Sequence, residues 1–135
     1  RSSDLSYILN CVFLFRNEIR IMAQEILKQL ADGKAIFNDV IAYIETKYTH
    51  TPTAFVNGAQ ENAADQNQGS AKVLAFGQLE GLSVEDTLKL FAEHYQSVLD
   101  TPEGKDHQNI RQFMANGWEG VSFDGEVLIL KYHEV

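Results

Sequence analysis

The spacing of apolar residues divides the chain into helical stripes, one aperiodic stretch and a short alternating C-terminus. From Met22 to Leu30 the apolar positions are Met22, Ile26, Leu27 and Leu30, the spacing of a short amphipathic helix ended by Ala31-Asp32-Gly33. A second helix is predicted from about Asn38 to Tyr48, opened by Asn38 or Phe37, with Val40, Ile41, Ile44 and Tyr48 on one stripe. Ser70 is placed to cap a third helix running to about Leu79, apolar on most sides and therefore central, with Gly81 closing it. Ser83 and Asp86 approximate a capping box for the clearest element, Val84 to Leu99. That helix sets Val84, Leu88, Phe91, Ala92, Tyr95, Val98 and Leu99 on one face. After a turn at Pro102 and Gly104, Asp106 caps a helix from His107 to about Asn116, stopped by Gly117. Val121-Ser122-Phe123, Asp124-Gly125 and Glu126 to Leu130 read as a β-hairpin on a type I′ turn. The fold class is mainly α within α+β: a compact helical domain with a long ordered loop and a small C-terminal β-hairpin.

The loop is Thr49 to Gly69, which carries no period. Loops of that length inside a domain are functional or disordered. Phe55 and Val56 want burial and no charge run is present, so an ordered, amide-rich loop is expected.

Residues 1–21 differ from the rest. Leu5 to Phe15 are an apolar run, but Asp4 precedes it and charged residues follow where a secretory signal would have small ones. An N-terminal strand or a buried helix is one reading. The other takes Arg1-Ser2-Ser3-Asp4-Leu5 as translated sequencing adapter and Met22 as the true start. The expectation carried forward is that 1–21 is upstream read-through and 22–135 the single domain.

The chain's 135 residues suit one domain. Eleven Lys and Arg against nineteen Asp and Glu give a formal charge of −8. Such a surface repels phosphate backbones, so neither nucleic acid nor an anionic membrane is an expected partner. A single cysteine, Cys11, rules out an internal disulfide or a CxxC motif. No apolar run reaches the ~18 residues of a membrane span. The phosphate loop, GxGxxG, GxSxG and HExxH are all missing. No metal site or cofactor is expected, and no reaction is assigned.

Three histidines, His50, His94 and His133, read as surface residues, His94 on the solvent side of its helix. His107 differs. It and Arg111 project along one border of the stripe formed by Ile110, Phe113, Met114 and Trp118, and Asn109 borders the other side. Gln108, Gln112 and Asn116 point to water. A helix start beside His107 favours neutral imidazole, which could move a proton while Arg111 holds an anionic group. The alternative is that both pin the loop's carbonyls. A second cluster comprises Thr51, Thr53, Asn57, Asn62, Gln66, Asn67, Ser70 and Lys72. Free N–H groups at the helix start after Gly69 suit an anion, and Lys72 in that first turn needs a ligand or a carboxylate to face. Here too the alternative is that the amides satisfy loop backbone.

Thr51-Pro52-Thr53-Ala54-Phe55 with Asn57-Gly58, Asn62, Gln66-Asn67, Gly69-Ser70 and Lys72 forms one motif. Ala75-Phe76, Leu82-Ser83 and Thr87-Leu88 form a second; Asp106-His107-Gln108-Asn109-Ile110-Arg111, Phe113-Met114 and Gly117-Trp118 form a third. In this order, from about Met22 to Leu130, the chain resembles the HopJ type III effector family. Asp65 and Ala71 depart from the family pattern, and Ala71 stands where a cysteine is frequent, so a thiol there is ruled out in this chain. The resemblance implies delivery into a host cell by type III secretion, but brings no reaction, cofactor or catalytic residue with it. Two readings follow. One is a cytoplasmic protein holding a small polar or anionic ligand between the loop and the His107–Arg111 helix. The other is a secreted effector whose partner is a host protein and whose polar motif residues only build the fold.

Overall fold

The computed structural model describes residues 2–131. Helix α1 spans Ser2–Ala31, far longer than the Met22–Leu30 stripe. A formed helix extends at little cost where nothing breaks it, and neither Gly nor Pro occurs before Gly33. Among its described side chains, burial is confined to the C-terminal end: Ala23 and Ile26 are buried, whereas Leu5, Tyr7, Leu9, Leu14 and Ile21 are exposed. Helix α2 (Phe37–Lys47) is opened by Asp39, whose carboxylate accepts the Ile36 N–H at 2.9 Å. Val40 and Ile44 carry its buried face. Tyr48, read above as the last residue of that stripe, instead turns extended and begins a strand, and remains buried.

The stretch expected to be an aperiodic loop is ordered but not irregular. It contains β1 (Tyr48–His50), β2 (Phe55–Asn57) and β3 (Gln60–Asn62), each too short for alternation to show in sequence. Strands β4 (Val121–Phe123) and β5 (Leu128–Leu130) form where expected, but they are not a hairpin. Strand β4 pairs with β2, Phe55 opposite Phe123, and β5 pairs with β1, Tyr48 opposite Leu130. Neither Asp124 nor Gly125 has the positive φ of a type I′ turn. The Asp124 N–H donates instead to the Ala54 carbonyl at 3.0 Å, which carries the chain along β2. The result is a three-stranded antiparallel sheet, β3-β2-β4, and a separate pair, β1-β5.

Helix α3 (Gln68–Leu79) is the centre of the core, with Ala71, Val73, Leu74 and Phe76 fully buried. It starts before Ser70, which lies in its first turn and is not its cap; Asn67 holds the cap position. The expected Val84–Leu99 helix is two: α4 (Val84–Lys89) and α5 (Glu93–Asp100). Ser83 does cap α4, its Oγ accepting the Asp86 N–H at 3.0 Å. The break has a packing reason. On one continuous helix Leu90 would face away from the stripe, into water; the turn at Ala92 lets both Leu90 and Phe91 be buried. Helix α6 (Gln108–Asn116) is preceded by His107, not Asp106, at its cap position, and Gly117 ends it at φ 63°. Its Phe113 packs edge-on against Trp118 with centroids 4.8 Å apart.

Candidate functional site

Among the described residues, three other than glycine have positive φ: Asn67 at 52°, Ala92 at 53° and His107 at 52°. Each stands immediately before a helix, α3, α5 and α6 respectively. Such conformations are strained for residues with a Cβ, least so for Asn and His. The helix starts they create surround one cavity of about 340 Å³. Asn67, Gly69 and Ser70 reach it from the start of α3, and His107, Gln108, Asn109 and Ile110 from the start of α6. His94 and Phe91 come from the α4–α5 region, Phe37 from the first position of α2, and Gln60 from β3. None of these lining residues is Asp, Glu, Lys or Arg.

Of the residues singled out in the sequence, Asn67, Ser70, His107 and Asn109 therefore meet at one place. Arg111 does not join them. Its guanidinium donates to the Asp106 carbonyl (2.6 Å), the Asp106 carboxylate (2.7 Å), and the carbonyl (2.9 Å) and hydroxyl (3.1 Å) of Thr101. It pins carbonyls, as the plainer alternative supposed, but in the 101–106 turn rather than in the long loop. Its hydrogen bond is the main reason the Asp106 carboxyl is held below the ordinary carboxylate range, with the charge of His107 contributing less. Lys72 has found its carboxylate: Nζ is 2.8 Å from Glu45, and this bond likewise lowers the Glu45 pKa. Thr51 and Thr53 belong to a clamp around Gln68. The Gln68 amide accepts the Thr53 N–H (3.0 Å) and donates to the Thr53 carbonyl (3.1 Å), while the Thr53 hydroxyl donates to the Thr51 carbonyl (2.7 Å). Gln66 accepts the Ala63 N–H at 3.0 Å and stays local.

Asn57 contributes from behind the cavity. Its Nδ2 donates to the Asn109 carbonyl at 2.7 Å and to Asn109 Oδ1 at 3.2 Å. Asn62 completes the group: Oδ1 accepts from Asn67 at 2.7 Å and from Asn109 at 3.0 Å, while Nδ2 reaches Asn109 Oδ1 at 3.2 Å. Four asparagine amides thus tie β2, β3, the α3 start and α6 together. Because Asn67 and Asn109 also line the cavity, the network sets how far apart the α3 and α6 walls stand.

Several polar residues prove to be placed differently from their sequence reading. Gln112 and Asn116 do not simply face water: Gln112 Oε1 accepts the Ala59 N–H at 2.9 Å and Asn116 Nδ2 at 3.2 Å. A side chain on Gly58 would collide with both, so the β2–β3 turn needs glycine there for close approach as well as for its φ of 59°. Gln108 bonds the Lys105 carbonyl at 2.7 Å. His50 is half-buried, its Nε2 3.1 Å from Gln68 Oε1, rather than a bare surface group. His94 is the larger correction. It packs edge-on to Phe37 (4.8 Å) and lies against the His107 ring (5.2 Å), because the break at Ala92 rotates α5 away from the register of α4. No spacing in the sequence carries that rotation, so His94, Phe37 and Gln60 could not have been picked out. His133 lies outside the described residues.

Among the described residues, no group of three or more His, Cys, Asp and Glu is placed to hold a metal ion, and no helix is long and apolar enough to cross a membrane. The cavity presents two imidazoles, amides, one hydroxyl and backbone N–H groups, a set suited to holding a small polar molecule. None of the curated proteins matches the chain. A crystal structure of an unknown function protein, VPA0580, is similar, with 46% identity and a TM-score of 0.73, covering 80% of this chain and 92% of that one. The family model described as HopJ type III effector protein matches residues 23–128, which include every residue of the cavity, and the chain belongs to that family.

Proposed function

We propose that this HopJ-family chain binds a small anionic ligand in the cavity between the starts of α3 and α6. The observation that carries the reading is the lining itself: two imidazoles and the first turns of two helices around one concavity, with no acidic side chain among them. The first N–H groups of a helix have no partner within it and carry the positive end of its dipole. Two carboxylates that contact lining residues are already engaged. Glu93 accepts the Phe37 N–H at 2.7 Å, and Asp106 is bound by Arg111, with its other oxygen 3.9 Å from His107 Nε2. Arg111 thereby serves the site indirectly, by holding a carboxylate at its rim, rather than by gripping the ligand. The reading is one of binding, with no reaction attached. It suits a protein working in the cytoplasm on a small molecule, since a formal charge of −8 opposes nucleic acid and anionic membranes alike.

Titration of ¹⁵N-labelled protein with inorganic phosphate tests this. Shifts confined to the amides of Gly69, Ser70, Gln108 and Asn109, weakened several-fold by His107→Ala, are expected. Shifts scattered over the surface, or none at millimolar phosphate, would refute it. A second reading, delivery into a host cell by type III secretion, is favoured by the family's description. A translocation reporter fused to the native protein, compared in a secretion-defective strain, decides that question independently of the cavity.

A further inference from the structure

The cavity has a second property that a simple oxyanion does not use. One wall is a run of aromatic rings in mutual contact. Phe37 and Phe91 lie nearly parallel, 12° apart with centroids 6.2 Å apart; His94 stands edge-on to Phe37, and His107 lies 5.2 Å beyond. Core packing accounts for Phe91, which is buried. It accounts only in part for Phe37, which packs against the core yet stays partly exposed, and not for His94 and His107, which are both at least partly accessible. A phosphate or carboxylate alone wants donors and has no face to stack, whereas a planar ring gains from offset or edge-on contact with such a wall. The volume, about 340 Å³, lies at the small end of ligand cavities, roughly 300–1,000 Å³. It has room for one ring system with its anionic group.

Resting on the binding reading above, we propose that the ligand is a planar aromatic or heteroaromatic ring bearing an anionic group, the ring against Phe37 and His94 and the charge at the helix starts. Nucleoside monophosphates and aromatic carboxylic acids share this chemistry. Calorimetric titration of the whole chain with AMP, ribose 5-phosphate, nicotinate and acetate separates the possibilities. Ring stacking on aromatic side chains is worth about 1–3 kcal/mol, which corresponds to roughly 5–150-fold in affinity. At least a tenfold preference for AMP over ribose 5-phosphate assigns the mononucleotide; the same preference for nicotinate over acetate alone assigns the aromatic acid. Phe37→Leu, checked for folding by circular dichroism, is expected to narrow that preference and leave ribose 5-phosphate or acetate binding in place. Should the variant not fold, the wild-type comparison decides alone. Equal affinity for ring-bearing and ring-free partners overturns the inference while leaving an anion site standing. Failure of all four to bind at millimolar concentration overturns both.

Discussion

Asn62→Ala is the substitution that most directly probes the amide network. Asn62 is 4% exposed and makes two kinds of contact that differ in consequence. Its Oδ1 accepts from Asn109, a residue 6% exposed, and from Asn67, which faces solvent. Removing the acceptor strands a buried Asn109 donor, at about 1–3 kcal/mol, while Asn67 is rehydrated at little cost. Loss of the Nδ2 bonds to Asn109 Oδ1 (3.2 Å) and the Phe55 carbonyl (3.3 Å) adds less, since both are long and Asn109 Oδ1 keeps Asn57 as a donor. The expected loss is about 2–3 kcal/mol, against under ~1 kcal/mol for Asn67→Ala, which removes one half-exposed bond. Urea unfolding followed by tryptophan fluorescence and circular dichroism reads the difference. With a urea slope of roughly 1–3 kcal/mol per molar, the Asn62→Ala midpoint falls by about 0.7–3 M with the slope unchanged. Equal losses for the two variants would refute the reasoning, as would an Asn62→Ala loss below ~1 kcal/mol. An Asn62→Ala/Asn109→Ala cycle should then give a coupling of about 0.5–3 kcal/mol.

Two further outcomes are expected. The Asp106 carboxyl is depressed first by its hydrogen bond to Arg111, so in Arg111→Gln its NMR titration should move up toward the ordinary range; no movement would deny the pairing. Because the folded value lies below the unfolded one, this contribution is complete above the unfolded pKa and is lost as pH falls through the folded one, from roughly pH 4 downward. The Asp106 carboxylate is exposed while Arg111 is largely covered, so added salt should weaken the contribution only in part. Deleting residues 1–21 should leave the unfolding free energy within about 0.5 kcal/mol of the parent, since among described side chains the first buried one is Ala23. A loss above ~1 kcal/mol would show that the segment belongs to the folded unit.

How much was legible depended on whether the information was local. Val40 and Ile44 of α2 and Ile110 and Phe113 of α6 are buried as read, because one stripe against one core is all that either requires, whereas Met114, read into the α6 stripe, is exposed. Strand pairing was not local. Val121–Phe123 and Leu128–Leu130 are extended as expected, yet their partners lie more than sixty residues earlier, at β2 and β1, and a three-residue strand holds no record of its partner. The break at Ala92 was hidden by a stripe that continues across it; only Leu90, an apolar residue on the wrong side, contradicted a single helix. In the site, Asn67, Ser70, His107 and Asn109 were found because amides and an imidazole at helix starts are visible in sequence. Arg111 and Lys72 were misplaced because a cation's partner depends on which acid the fold brings near, here Asp106 and Glu45.

The walls of the cavity are drawn from Phe37 to Ile110, on four helices and a strand. No fragment of the chain holds half of it, because its lining comes from separate segments and three of its four helix starts follow a residue held at positive φ by its surroundings. Bringing such distant segments together requires closing long loops, which is slow and comes late in folding. The cavity therefore takes shape only with the last cooperative step of assembly. On the proposed binding reading, a chain that has been unfolded holds no ligand until the whole domain has closed again.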